Sequence, residues 1–133
     1  MANVLFVCLH NAGRSQMSEA LFSRAASGRH VARSAGTEPA TRVHEGVVAV
    51  MREKGIDLTG REPRLLTDEL ARWADVVVTM GCGDACPVIP GKRYLDWELR
   101  DPKDLALDEV RFIRDDIDAR VGELIQSLDR GSI

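Results

Sequence analysis

Short apolar runs alternate along the chain with longer segments in which apolar residues recur every three or four positions. The runs Asn3 to Val7 and Val76 to Thr79 are rich in β-branched residues, which is typical of central strands covered on both faces. His30 to Ser34 and Lys92 to Leu95 are shorter candidate strands. Strands that alternate with helices predict a parallel sheet with helical layers on either side.

Helical spacing marks the segments between the strands. A first helix is expected to begin at Arg14 and Ser15 and to stop at Gly28, and Thr67 is expected to cap a short helix that runs through Trp73. We therefore predict an α/β fold, a three-layer domain with a four-stranded parallel sheet flanked by helices, formed by residues 1–133 as a single domain. The apolar positions of the other two helices are Val43, Val47, Val50 and Met51, and Val110, Ile113, Ile117, Val121, Leu124 and Leu128.

Composition restricts the function classes. The chain has 133 residues, 44% of them hydrophobic and 29% charged, which is ordinary for a globular domain. Its net charge of -3 argues against a basic nucleic-acid-binding or membrane-binding face. No apolar run approaches the roughly 18 residues of a membrane span, and the first residues lack a signal-peptide core. We expect a cytoplasmic monomer that binds neither nucleic acid nor membrane.

The connection between the first strand and the first helix carries the strongest chemical signal. Cys8 ends the strand, and after five intervening residues Arg14 and Ser15 begin the helix. Backbone N–H groups and a helix N-terminus converge at such a loop and favour a bound anion. We expect an oxyanion cradle made by residues Leu9, His10, Asn11, Ala12, Gly13 and Arg14.

Cys8 is the candidate nucleophile, because a thiol attacks as its thiolate and this loop would favour the anion. Arg14 can hold two oxygens of a tetrahedral oxyanion, and the Ser15 hydroxyl can bond the sulfur. The Asn11 amide would fix a strained loop, and Gly13 would permit a positive φ or a close approach to the ligand. His10 either shapes the loop or acts in acid–base chemistry.

The other two cysteines, Cys82 and Cys86, fall in a glycine- and proline-rich loop from Gly81 to Gly91. In a parallel sheet this loop, Cys8 and residues 96–102 meet at the carboxyl edge of the strands. Inert thiols and a zinc site are alternatives for this pair. Zinc is disfavoured because a structural site needs four ligands and the histidines have no paired spacing, so no metal is predicted.

The segment from Cys8 to Ala20 resembles the phosphate loop of the low-molecular-weight protein tyrosine phosphatase superfamily. Gln16, Met17 and Glu19 resemble its arsenate reductase branch, since the phosphatases usually carry proline after Arg-Ser. The similarity continues through Ser34 to Thr37, the Val-Val-Thr-Met strand, Cys86-Pro87 and Asp101-Pro102.

The resemblance implies a reduction of arsenate to arsenite, for arsenic detoxification, by a thiol relay. Cys8 would form an adduct with arsenate. Cys82 would resolve it by attacking the Cys8 sulfur, which gives a Cys8–Cys82 disulfide, and exchange with Cys86 would convert this to a Cys82–Cys86 disulfide. Which of Cys82 and Cys86 attacks first is left open. By its position Asp101 would be the general acid, with Asp96 or a purely structural Asp-Pro turn as alternatives.

The same resemblance implies that no cofactor is bound and that electrons come from reduced thioredoxin, with mycothiol as the alternative reductant. Phosphate and sulfate would compete with arsenate as oxyanions of the same shape. Some relatives hold a structural potassium ion, and Asn11, Glu19 and Ser34 match part of its site. Arg64 stands where an acid is expected, so we do not predict the ion and expect the arginine to replace its charge.

Two other function classes remain at this point. A low-molecular-weight protein tyrosine phosphatase would use the same cradle but would need neither Cys82 nor Cys86. A non-catalytic oxyanion or redox sensor would lack a usable acid or a resolving thiol. The arsenate reductase interpretation is preferred because it accounts for all three cysteines and for Gln16.

Overall fold

A computed structural model describes residues 1–81 and 91–131. This part of the chain forms four parallel strands and four helices, in the order β-α-β-α-α-β-β-α. Their bounds are β1 Asn3–Cys8, α1 Arg14–Ala26, β2 Val31–Gly36, α2 Glu45–Arg52, α3 Asp68–Trp73, β3 Val76–Met80, β4 Arg93–Asp96 and α4 Leu107–Asp129.

The sheet has the order β2-β1-β3-β4, and every neighbouring pair is parallel. The strand order reverses between β1 and β3, which is where ligands bind in open α/β sheets. Cys8 ends β1 at this point, in register with Gly36 on one side and Met80 on the other. The topology therefore places the candidate nucleophile at the centre of the carboxyl edge.

Alternate residues of β1 face the two helical layers. Val4 and Phe6 belong to a core shared with α1, α2 and α4, whereas Leu5 and Val7 belong to the smaller core beneath α3. Phe6 lies with its ring centroid 5.7 Å from those of Phe22 and of Trp97. The continuous apolar run of β1 thus reflects burial on both faces, as the sequence predicts.

A cluster of charged side chains joins the end of α2 to α4. Arg114 is buried and donates from Nη1 to the Val50 carbonyl oxygen (2.9 Å) and to Glu53 Oε1 (2.8 Å). Arg111 donates to the same carboxylate from Nε and Nη2. Hydrogen bonds from Arg111 and Arg114 lower the pKa of Glu53 to about 2. The cluster thus supplies a partner for the Val50 carbonyl oxygen in the last turn of α2.

The predicted four-stranded three-layer architecture is confirmed. The first helix begins at Arg14, as the sequence predicts, so the predicted anion-binding residue is the first residue of the helix. Thr67 caps α3 as expected, accepting a hydrogen bond from the Leu70 N–H at 3.1 Å. The predicted loop containing Cys82 and Cys86 lies outside the described residues. Within residues 1–81 and 91–131, no helix has the length and apolar character needed to cross a membrane.

Candidate active site

The Cys8 side chain is buried at the bottom of the loop that follows β1, with 2% of the residue exposed. Its sulfur lies 2.8 Å from Ser15 Oγ. The backbone N–H of Asn11 donates to the same sulfur at 3.2 Å. Donors that point at a sulfur atom stabilise its thiolate over its thiol, so both contacts favour the reactive form.

The hydrogen bonds around Asn11 favour Ser15 as the donor in its contact with Cys8. The Arg64 backbone N–H can only donate, and it lies 2.9 Å from Asn11 Oδ1. The Asn11 amide nitrogen therefore faces Ser15 Oγ and donates to it at 2.7 Å. Because Ser15 accepts this bond, its own hydrogen is available for Cys8 Sγ. The result is a directed chain from Asn11 through Ser15 to the sulfur.

The N-terminus of α1 adds backbone donors near this sulfur that have no partner inside the helix. The first hydrogen bond of the helix runs from the Met17 N–H to the Gly13 carbonyl oxygen at 3.0 Å. The N–H groups of Arg14, Ser15 and Gln16 precede it and have no partner inside the helix. Helix α1 has no acidic residue in its first turn, whereas α2, α3 and α4 each have one or two. The positive end of α1 is thus left for an external anion.

The Arg14 guanidinium is held over the loop by the segment that follows β4. Nη1 donates to the Leu99 carbonyl oxygen at 3.1 Å, and Nη2 lies 3.8 Å from Asp101 Oδ2. Trp97 anchors that segment, since its backbone N–H donates to the Thr79 carbonyl oxygen at 2.9 Å. The predicted meeting of Cys8, Arg14 and Asp101 at one edge is therefore found. Asp96 instead accepts a hydrogen bond from Thr79 Oγ1 at 2.8 Å.

Glycines leave the space in which the loop and Arg14 fit. A Cβ on Gly81, whose φ is +80°, would lie 2.2 Å from Arg14 Nη1. A Cβ on Gly36 would lie 2.7 Å from the Leu9 carbonyl oxygen and 2.9 Å from the Asn11 nitrogen. Neither glycine was singled out from the sequence, although a glycine at a strand end is a signal of close backbone approach.

Gly13 differs from its expectation in one respect. Its φ is -144°, so the loop does not use a left-handed glycine there. A Cβ on Gly13 would instead lie 2.6 Å from Pro102 Cγ. The residue allows Pro102 to pack against the loop, and the positive φ belongs to Asn11, at +49°.

Two histidines flank the cradle. His10 Nδ1 lies 3.0 Å from the Glu38 carbonyl oxygen, which can only accept, so that nitrogen carries the hydrogen. This contact favours the loop-shaping alternative for His10. His44, which the sequence reasoning missed, donates its backbone N–H to the Ala12 carbonyl oxygen at 2.9 Å. Burial lowers the pKa of the His44 imidazole, with the nearby Asp101 carboxylate opposing the effect.

A polar cavity of about 460 Å³ lies behind the loop. Glu19 in its wall accepts a hydrogen bond from Ser34 Oγ at 2.9 Å and pairs with the Arg61 guanidinium. The expectation that Arg64 supplies this charge is wrong: Arg64 contributes its backbone N–H to Asn11, and Arg61 supplies the cation. In residues 1–81 and 91–131, no group of three or more His, Cys, Asp or Glu side chains could hold a metal ion.

The sheet, the loop and the arginine define a class of protein. The sequence profile of the low molecular weight phosphotyrosine protein phosphatases matches residues 3–132, and the chain belongs to that family. The resemblance seen in the sequence is therefore confirmed.

Within the family, the chain is similar to proteins named arsenate reductase. One, a putative arsenate reductase of Halobacterium salinarum, is 45% identical over 129 residues, which cover 93% of this chain and 91% of the relative. The glutaredoxin arsenate reductase of a Synechocystis species is 34% identical over 131 residues, 96% of this chain and 99% of the relative.

A solved structure gives the same placement. The thioredoxin-dependent arsenate reductase of Corynebacterium glutamicum has a TM-score of 0.84 at 43% identity and covers 98% of this chain. The match covers 63% of that longer protein, so this chain spans less than two thirds of its length.

Proposed function

We propose that this chain reduces arsenate to arsenite, with Cys8 as the nucleophile. The observation that carries the proposal is the directed chain of hydrogen bonds that ends on the Cys8 sulfur beneath the Arg14 guanidinium. Such a site binds a tetrahedral oxyanion with its central atom facing a thiolate. Similarity to arsenate reductases at 34% to 45% identity supports arsenate as that oxyanion.

The first step is attack of the Cys8 thiolate on arsenic. An S–As bond forms, and one arsenate oxygen leaves as water after taking up protons. Arg14 and the N–H groups at the start of α1 hold the remaining oxygens through the developing charge. Asp101, which lies 3.8 Å from Arg14 Nη2, is the proposed donor of a proton to the leaving oxygen.

The second step is proposed as a thiol relay. One of Cys82 and Cys86 attacks the Cys8 sulfur, and the S–As bond breaks with its electron pair going to arsenic. Arsenic is thereby reduced from the +5 to the +3 state and released as arsenite, while the two sulfurs are oxidised to a disulfide. Exchange with the third thiol frees Cys8 and leaves a Cys82–Cys86 disulfide.

Reduced thioredoxin is the proposed electron donor, and the cytoplasm is the proposed compartment. A third cysteine would be superfluous if a small thiol or a glutaredoxin-like partner resolved the adduct directly. The relatives are named for both systems, one thioredoxin-dependent and one glutaredoxin-linked, and mycothiol is a further alternative. We expect phosphate and sulfate to compete with arsenate, and the chain to act as a monomer.

The experiment is arsenite release by the wild type and by Cys8→Ser, Cys82→Ser and Cys86→Ser, with thioredoxin, glutaredoxin with glutathione, or mycothiol as the reducing system. We expect Cys8→Ser to be inactive and the other two variants to lose multiple turnover with thioredoxin. Mass spectrometry of disulfides trapped in each variant shows the order of attack. If Cys82→Ser and Cys86→Ser both keep multiple turnover, the relay is wrong.

Phosphate-ester hydrolysis is the competing function, because the family that the chain belongs to is named for phosphotyrosine protein phosphatases. It needs the cradle and Asp101 but no second thiol. Rapid hydrolysis of an aryl phosphate with no arsenite formed would replace the proposal by a phosphatase. We expect the reverse, arsenite formation with slow hydrolysis.

A further inference from the structure

Gln16 is a polar side chain buried behind the active-site loop, with 3% of the residue exposed. Its Nε2 donates to two atoms of one residue, the backbone carbonyl oxygen of Asn11 at 3.2 Å and Asn11 Oδ1 at 3.0 Å. The mechanism described above does not use Gln16. Its contacts nevertheless fall on the residue that directs both hydrogen bonds to the Cys8 sulfur.

Asn11 needs such support because its backbone has a φ of +49°, a left-handed conformation that is unfavourable for a residue with a Cβ. A donor shared between the backbone oxygen and the side-chain oxygen fixes the main chain and the side chain of Asn11 relative to each other. The Arg64 N–H holds Oδ1 from a second direction at 2.9 Å. Gln16 is the side chain that links the two halves of Asn11.

Both halves of Asn11 act on Cys8. The backbone N–H reaches the sulfur directly at 3.2 Å, and the side-chain amide orients the Ser15 hydroxyl toward it. Loss of the Gln16 donor would leave a buried acceptor with fewer partners and would loosen both routes. A less directed pair of donors stabilises the thiolate less well.

We propose that Gln16 is a positioning residue that acts through Asn11 to aim two hydrogen-bond donors at the Cys8 sulfur, thereby favouring its thiolate. The inference deepens the proposed function, on which its rate measurement rests. It also makes a claim about the free protein that requires no arsenate.

Gln16→Met tests the inference, since methionine keeps the length of the side chain and removes the donor. Gln16→Glu is the second variant, because it keeps the shape and turns an oxygen toward the two Asn11 oxygens. Gln126→Met is the matched control: Gln126 is the other glutamine of the chain, and it lies exposed on α4. Thermal unfolding of each variant reports on the fold.

The main readout is the pH dependence of Cys8 alkylation by iodoacetamide. Trypsin releases residues 1–14 as a peptide in which Cys8 is the one cysteine, so mass spectrometry follows this thiol separately. At pH 7 we expect Gln16→Met to react roughly three- to ten-fold more slowly than wild type, because the thiolate fraction falls. The difference should vanish at a pH where any thiol is ionised. We expect Gln16→Glu to react more slowly still and Gln126→Met to match wild type.

A pH profile for Gln16→Met that coincides with that of wild type would show that Gln16 does not act on the sulfur. Loss of cooperative unfolding in both Gln16 variants would mean that the fold needs the residue, and would also overturn the proposal. If alkylation shifts as expected while the wild type forms no arsenite, the proposed function fails and the positioning role stands. If arsenite forms and alkylation is unchanged, the reverse holds.

Discussion

Gly81→Ala separates the conformational role of a glycine from its role as a space for Arg14. Gly81 has a φ of +80°, and Gly55, after α2, has a φ of +76°. A Cβ at Gly55 meets nothing within 4 Å, whereas at Gly81 it would meet Arg14 Nη1 at 2.2 Å, Cζ at 2.8 Å and Nη2 at 3.0 Å. The two substitutions carry the same backbone strain, and one of them also displaces a guanidinium.

The expected magnitudes differ accordingly. A left-handed backbone destabilises an alanine, whereas the smaller entropy of the unfolded alanine chain offsets part of this cost. The net loss in the free energy of unfolding is about 1 kcal/mol for each variant, which lowers Tm by about 3 °C. The Arg14 side chain can swing away from the new methyl group, so stability should fall little further. An oxyanion then loses two charge-assisted hydrogen bonds, together about 3 kcal/mol or more. We expect kcat/KM for arsenate to fall roughly 100-fold in Gly81→Ala.

Two measurements check this expectation. Steady-state arsenite formation gives kcat/KM for wild type, Gly81→Ala and Gly55→Ala. Protection of Cys8 from iodoacetamide by inorganic phosphate reports anion binding without any turnover, and should be lost in Gly81→Ala alone. The contrary result is that phosphate protects Cys8 equally well in the two variants, with their kcat/KM values within about threefold of each other. Arg14 is then not the oxyanion ligand, and the reasoning is refuted.

Three further results are expected. Asp101→Asn should lower kcat roughly 100-fold, because a general acid is lost. The phosphate concentration that protects Cys8 should not rise, because a negative charge beside Arg14 is removed. An unchanged kcat would exclude Asp101 as the acid. Gly36→Ala should lower the urea midpoint by an amount corresponding to about 1–3 kcal/mol, because its Cβ would meet fixed backbone atoms; a wild-type midpoint would contradict this. Glu53→Gln should lower the free energy of unfolding at pH 7. The difference from wild type should disappear as the pH falls from about 4.5 toward 2, because the Glu53 carboxylate, whose pKa is depressed, stabilises the fold only while it is ionised. A difference that persists at pH 2 would refute the assignment.

The sequence predicts most of the architecture because each element is marked locally. The buried run of β1 and the spacing of α4 follow from periodicity, and the chemistry of Cys8 and Arg14 follows from a strand that leads into a helix. The part that was missed depends on contacts distant in sequence. Gly81 lies against Arg14 and Arg61 pairs with Glu19, and neither partner can be inferred from spacing along the chain.

The same reasoning explains the errors. Of the two alternatives for Gly13, the positive φ is wrong, since its φ is -144° and the side chain of Pro102 lies where a Cβ would be. Arg64 was assigned the charge beside Glu19 by its position along the chain, yet its backbone N–H serves Asn11. Local propensity states what a residue can do, and the packing of distant segments decides which of these possibilities is used.

The hydrogen bonds that join Gln16, Asn11, Ser15 and Cys8 all run between groups of the protein itself, so they form when the chain folds. The cost of ordering the loop is therefore met once, during folding, rather than at each encounter with a substrate. A rigid cradle of this kind recognises size, charge and tetrahedral shape, which phosphate and arsenate share. Discrimination between them must then arise after binding, from the rate at which the central atom accepts a sulfur nucleophile. If the chain reduces arsenate as proposed, we expect phosphate to inhibit it competitively, so that the rate of arsenite formation depends on the ratio of the two anions.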